Sequence, residues 1–178
     1  MINLIKNFDN QIFTIINQAL NFPALNQAFI FISSIECSYL AVVLALVLFL
    51  LRKKYHTFSA LLLLAAAELN WFIGGLIKDL VNRPRPPQCN LEGINLLIDC
   101  AQGLSFPSGH TLAAFSLATV LALRYPKSRI PVFLAASLIG YSRVYVGVHF
   151  PFDVLGGAVI AILSTYFLVK IFEVDNAK

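Results

Sequence analysis

Three short polar segments interrupt an otherwise apolar chain of 178 residues: Lys78-Asp-Leu-Val-Asn-Arg-Pro-Arg85-Pro86, Pro107-Ser108-Gly109-His110, and Ser142-Arg143 followed by His149 and Asp153. Lys78, Arg85 and Arg143 are cations at neutral pH, and together they repel unless an anion sits among them. A phosphate suits them, because guanidinium forks bind its oxygens in pairs and the ammonium adds a point charge. Ser108, Gly109 and His110 stand where a helix opens, so free backbone N–H groups and the positive end of the helix dipole favour the same anion. Gly109 lets the backbone approach closely.

The remaining groups suit phosphoryl transfer. His149 and Asp153 are four residues apart, so one helical turn brings the carboxylate beside the imidazole. Such a carboxylate fixes the ring tautomer and supports positive charge on the ring. His149 is therefore the expected nucleophile. His110 has no carboxylate near it in sequence and suits the acid that protonates the leaving oxygen and later activates water.

The elements that must position these groups are membrane spans. Hydrophobic residues make up 58% of the chain and charged residues 12%, against roughly 25% charged in an ordinary globular protein. At this length much surface must face solvent, so the solvent for most of it is lipid. The sequence pI near 9.1 comes without a basic stripe interleaved with aromatics, which argues against nucleic acid. Only Lys6 precedes the first long apolar run and no small-residue cleavage site follows a short apolar core, so the spans themselves are expected to direct insertion.

The expected fold is all-α: a single domain over 1–178, an integral-membrane bundle of about five transmembrane helices. The predicted spans are 27–51, 57–78, 108–124, 130–148 and 152–172, within a core of 26–172. Residues 1–22 precede it as an amphipathic interfacial helix, with apolar Leu4, Ile5, Phe8, Ile12, Ile15 and Ile16 among polar neighbours, broken at Phe22-Pro23. Five spans place all three polar segments at one membrane face. Arg52, Lys53, Lys54, Arg124, Lys127, Arg129, Lys170 and Lys178 fall on the other face, which the positive-inside rule makes cytoplasmic, with the C-terminus. Lys78, Arg83, Arg85 and Arg143 then face outward against that rule, which calls for a reason other than topology.

These residues resemble the type 2 phosphatidic acid phosphatase superfamily of membrane lipid phosphatases and vanadium haloperoxidases. Its motifs K-x6-R-P, P-S-G-H and S-R-x5-H-x3-D run complete and in order from Lys78 to Asp153. The resemblance implies a phosphohistidine at His149, acid/base work by His110 and orientation by Asp153. It also implies phosphate binding by Lys78, Arg85, Ser108, Gly109 and Arg143, and no metal cofactor. Small bacterial members of this layout act on undecaprenyl diphosphate, phosphatidylglycerophosphate, phosphatidic acid or the 1-phosphate of lipid A. The outward site and small size rank undecaprenyl diphosphate first, in a bacterial cytoplasmic membrane. The bilayer and a membrane lipid phosphate are the expected partners. A haloperoxidase is disfavoured by the short chain and its spans, and a non-catalytic lipid-phosphate binder or transporter by the presence of His149, His110 and Asp153 together.

Other residues carry weaker expectations. Arg83, outside the motif spacing, reads equally as a snorkelling cation ending the second span. Glu36 and Glu68 fall inside predicted spans, where an ionisable residue costs roughly 2.5–3.5 kcal/mol. They are read as an interhelical contact with Asn70 nearby, or as lining the substrate cleft, with Glu36 nearer the interface if the first span starts later. Cys89 and Cys100 share the outward loop, where an oxidising exterior permits a disulfide; two free thiols are the alternative. His56 reads as a headgroup or loop residue.

Overall fold

The computed structural model describes residues 2–89, 91–99 and 102–175. The described chain opens with α1 (Ile2–Thr14), which runs directly into one π-helical segment, Ile15–Ala19. Asp9, Phe13 and Asn17 form a buried row at four-residue spacing, while Leu4, Ile5, Phe8 and Ile15 are exposed. Leu4, Ile5, Phe8 and Ile15 of this amphipathic segment thus face away from the protein, while Phe13 and Ile16 pack inward. Asn17 donates to the carbonyls of Asn95 (3.0 Å) and Tyr145 (2.8 Å) and accepts from the Asn95 N–H (2.9 Å), tying this segment to the long loop and the sixth helix.

Phe22 is extended and Pro23 takes the first position of α2 (Pro23–Ser33), as the steric restriction before proline requires. After Ser34–Glu36 the chain resumes as α3 (Cys37–Leu50) at 55° to α2. The predicted first span, 27–51, is therefore two helices rather than one. Both ends of α2 meet one turn of the sixth helix: Tyr145 Oη donates to the carbonyl of Phe22 (3.1 Å) and Arg143 donates to that of Ser33 (2.8 Å).

The other helices are α4 (Lys54–Val81), α5 (Gly109–Arg124), α6 (Arg129–Tyr145) and α7 (Pro151–Asp175). Among the described residues α4 and α7 are long and apolar enough to cross a bilayer alone, and α2 with α3 passes as a bent pair. The predicted spans 108–124 and 130–148 became helices of 16 and 17 residues, rising ~24 and ~26 Å against a hydrocarbon core of about 30 Å. The α6 helix stops before its predicted end because Gly147 takes a positive φ of 89°. A Cβ there would sit 2.8 Å from the Asn95 carbonyl oxygen, so the chain turns where only glycine fits.

At the centre stands α5, with 10 of its 16 residues buried against α3, α4, α6 and α7. Lipid tails are as apolar as leucine, so close approach of backbones must hold such helices together. The core matches this need: Ala41, Ala45, Ala60 and Ala66 pack around Leu63, Leu117, Val120 and Val169. Asn70, fully inside, donates to Thr165 Oγ1 (3.0 Å) and Ser116 Oγ (3.3 Å) and accepts from Ser164 (2.8 Å). It locks α4, α5 and α7 together and does not serve Glu36 or Glu68. Glu68 is exposed on the outer face of α4, beside Trp71, which is 79% exposed. His56 lies within the first turn of α4, its Nδ1 2.8 Å from Tyr125 Oη. The Cys89–Cys100 pairing falls outside the described residues, since Cys100 is not among them.

Candidate active site

The C-terminal ends of α4 and α6 and the N-terminal ends of α5 and α7 meet at one end of the bundle, where the described segments 82–89 and 102–108 contact them. Antiparallel neighbours joined in this order must place Lys78, Ser108, Arg143 and Asp153 together. His149 lies in the turn between α6 and α7 and is 2% exposed. Its Nε2 is 3.2 Å from Arg85 Nη1. A guanidinium only donates, so Nε2 carries a lone pair and Nδ1 the proton. Nδ1 faces Ser105 Oγ at 3.4 Å and Asp153 Oδ2 at 3.5 Å. The anticipated imidazole–carboxylate contact is thus a long one, with Ser105 beside it. Burial holds the His149 ring well below the usual histidine range, at about 4, against the opposing pull of Asp153. The imidazole is neutral at pH 7, with its lone pair toward the cations.

Asp153 is fully buried and fully engaged. Its Oδ2 accepts from the Ser105 hydroxyl and from the Phe150 N–H (2.8 Å), and its Oδ1 from Arg83 Nη1 (2.9 Å). The Arg83 guanidinium also reaches Asp9 Oδ2 of α1 at 2.5 Å and lies 4.1 Å from the centre of the Phe150 ring. Arg83 is therefore a bridge between two buried carboxylates rather than a snorkelling cation. Burial pushes the Asp9 carboxyl up despite the attraction of Arg83.

Arg85, 6% exposed, follows α4 in extended backbone and donates to the Val148 carbonyl (3.3 Å) and, through Nε, to that of Gly103 (3.4 Å). Arg143, in the last turn of α6 and 7% exposed, donates to the Ser33 carbonyl (2.8 Å) and Oγ (2.6 Å). Lys78, in the last turn of α4, acts electrostatically on Arg85 and Asp153. Ser108 precedes the first turn of α5, and its hydroxyl accepts from Thr111 Oγ1 (3.0 Å), which leaves its own proton to donate. Its backbone N–H is committed to the Asp153 carbonyl (3.1 Å), so the free N–H groups expected at this helix start begin at Gly109. His110 Nε2 lies 3.1 Å from Glu36 Oε1. Arg143 and Arg85 act electrostatically on both histidines.

All eight residues singled out in the sequence thus share one end of the bundle. Ser105, Arg83 and Asp9 join them without having been anticipated as site residues, and Glu36, read as an interhelical contact or as lining the substrate cleft, joins them against His110. Asp9 carried a signal, since its four-residue spacing with Phe13 and Asn17 marks one helix face. Glu36 carried another: Ser33-Ser34-Ile35-Glu36 is a polar interruption in an apolar run, where a span breaks.

Comparison with known proteins identifies the family. Residues 58–176 match the family model described as the PAP2 superfamily. Over 135 residues the chain is 30% identical to undecaprenyl-diphosphatase BcrC of Bacillus subtilis, covering 75% of this chain and 67% of that one. Among solved structures it resembles a transmembrane PAP2-type phosphatidylglycerolphosphate phosphatase from Bacillus subtilis, with a TM-score of 0.79 and 29% identity over 97% of this chain and 88% of that one. It also resembles Aquifex aeolicus LpxE, with a TM-score of 0.73 and 34% identity over 90% and 93%. With its apolar helices and its cation-lined pair of histidines, the chain belongs to the PAP2 superfamily of membrane lipid phosphatases.

Proposed function

We propose that this single domain removes the terminal phosphate of a membrane lipid phosphate or diphosphate through a phosphohistidine at His149, without a metal. The carrying observation is the buried, neutral His149, whose Nε2 lone pair lies 3.2 Å from the Arg85 guanidinium. A phosphate drawn between Lys78, Arg85, Arg143, the Ser108 hydroxyl and the N–H groups from Gly109 onward would meet that lone pair. Nε2 attacks phosphorus, the bond to the leaving oxygen breaks, and His110 gives that oxygen a proton. Water then loses a proton to His110, its oxygen bonds to phosphorus, and the nitrogen–phosphorus bond breaks. Throughout, Asp153 accepts from the Nδ1 side and supports the charge that develops on the ring. Three cations supply the charge that offsets the pentavalent oxygens, the task a metal performs elsewhere.

A lipid substrate is supported by an apolar groove of about 380 Å³ that starts at Lys78 and Gly109 and runs between α4 and α5 past Gly75 and Trp71 to Ala67. The short α5 and α6 support a phosphate-binding end near the hydrocarbon boundary, where headgroups lie. The bias of basic residues toward the opposite end supports a site on the outward face and a C-terminus in the cytoplasm. Undecaprenyl diphosphate ranks first as substrate, in a bacterial inner membrane, ahead of phosphatidylglycerophosphate, phosphatidic acid and lipid A 1-phosphate. The test is inorganic phosphate release in matched detergent micelles containing EDTA, with vanadate as inhibitor. The reading expects turnover in EDTA, fastest on undecaprenyl diphosphate; a strict divalent-metal requirement contradicts it.

A further inference from the structure

The break between α2 and α3 sets two site groups at once. On one side of it, the Ser33 carbonyl and hydroxyl oxygens hold Arg143 Nη1 at 2.8 and 2.6 Å. On the other, Glu36 Oε1 meets His110 Nε2 at 3.1 Å. Glu36 occupies the residue before α3 in extended backbone, yet its carboxylate does not cap that helix. Were α2 continuous into α3, this carboxylate would sit inside a span at a cost of roughly 2.5–3.5 kcal/mol. The bend instead brings it to the site end with its side chain 52% exposed, beside a histidine side chain that is 21% exposed.

We infer that Glu36 is a positioning residue for His110, gripping the ring by Nε2 and favouring the protonated form needed when the leaving oxygen departs. This rests on the reading of His149 as nucleophile and His110 as acid and base. The charged groups acting on His110 are Glu36 from the α2–α3 break, Arg143 from α6 and Arg85 from the segment after α4. The two guanidiniums oppose a third positive charge, and the carboxylate pulls the other way. With Nε2–H held by Glu36, the ring's other nitrogen gives its proton to the leaving oxygen as the phosphorus–oxygen bond breaks. That nitrogen regains a proton from water in the second step. The ring returns to its starting state, and Glu36 neither gains nor loses a proton over the cycle.

Such a role predicts dependence on the leaving group. Phosphatidic acid releases an alkoxide that needs a proton, whereas p-nitrophenyl phosphate releases a stable phenolate that does not. Glu36→Gln should lower kcat on phosphatidic acid roughly 10- to 100-fold and on p-nitrophenyl phosphate less than about 3-fold. The basic limb of kcat/KM on phosphatidic acid should move to lower pH, and Glu36→Asp should restore part of the rate. Equal losses on both substrates, or none on either, with an unmoved pH profile, would overturn the inference. His149→Gln, run alongside, separates the two claims, because retained phosphate release there would defeat the underlying reading and not the role of Glu36.

Discussion

Replacing Arg83 tests whether the N-terminal helix is wired to His149, the proposed nucleophile. Arg83 joins Asp9 (2.5 Å) to Asp153 (2.9 Å), with the two carboxylates 1% and 0% exposed. Arg83→Met removes the shared cation and leaves two buried negative charges facing each other. Breaking a buried pair by deleting one partner costs about 3–5 kcal/mol. The 21% exposure of the Arg83 side chain puts this case near the low end, at about 3 kcal/mol. At this chain length that amounts to a fall in Tm of roughly 6–12 °C. Asp9→Asn should be much milder, about 1 kcal/mol. Its side-chain oxygen still accepts from the Phe152 N–H, a bond of 2.9 Å, and burial already disfavours the Asp9 charge. Adding Asp9→Asn to Arg83→Met should recover about 1–2 kcal/mol, because one stranded carboxylate is gone. The assay is thermal unfolding of the detergent-solubilised protein, with phosphate release measured in parallel. The reasoning fails if Arg83→Met unfolds within about 2 °C of the parent, or if the two substitutions simply add.

Ser105→Ala should lower kcat roughly 10-fold or more, by loss of a hydrogen bond to a charged carboxylate. Steady-state kinetics should show KM little changed, since Ser105 touches Asp153 and His149 and not the phosphate pocket. Asn70→Ala, which removes the amide joining α4 to Ser116 of α5 and to Ser164 and Thr165 of α7, should cost about 1–2 kcal/mol in thermal unfolding while activity per folded molecule stays at the parent level. Stability should also fall on acidification through His149. Its folded value of about 4 lies below the ordinary 6.5, so the unfolded chain takes the proton first. The contribution is therefore complete above about pH 6.5 and is lost as pH drops toward about 4, about 3 kcal/mol in all. Comparing Tm near pH 7 and near pH 4.5 for the parent and His149→Gln checks this, the variant losing less.

The gathering of the candidate site was legible because it is made of polar residues that a membrane chain can ill afford elsewhere. Lys78, Arg85, Arg143 and the two histidines stood out against apolar surroundings, and antiparallel helices joined in order had to gather them. The all-helical fold followed from apolar runs for the same reason. The broken first span was harder to read, because hydropathy averages over Ser33 to Glu36 and the surrounding leucines and isoleucines mask a three-residue interruption. Asp9 and Arg83 lie 74 positions apart, and nothing local in either segment records the pairing. Ser105 was hidden differently: a serine in a polar loop has many ordinary uses, and only the turn into α5 aims it at Asp153. Asn70, near Glu68 in sequence, reads as part of a contact with the glutamates, whereas its amide is satisfied by Ser116, Ser164 and Thr165 on other helices.

The central claim is that His149 carries the phosphate between the two halves of the reaction. Its most direct test is a rapid alkaline quench of the enzyme turning over a radiolabelled lipid phosphate, which preserves an acid-labile phosphoramidate, followed by peptide mapping. The account predicts label on the peptide holding His149, none in His149→Gln, and loss of the label when the trapped protein is acidified. Full turnover in the parent with no label on His149 under these conditions, or label retained by His149→Gln, would contradict it.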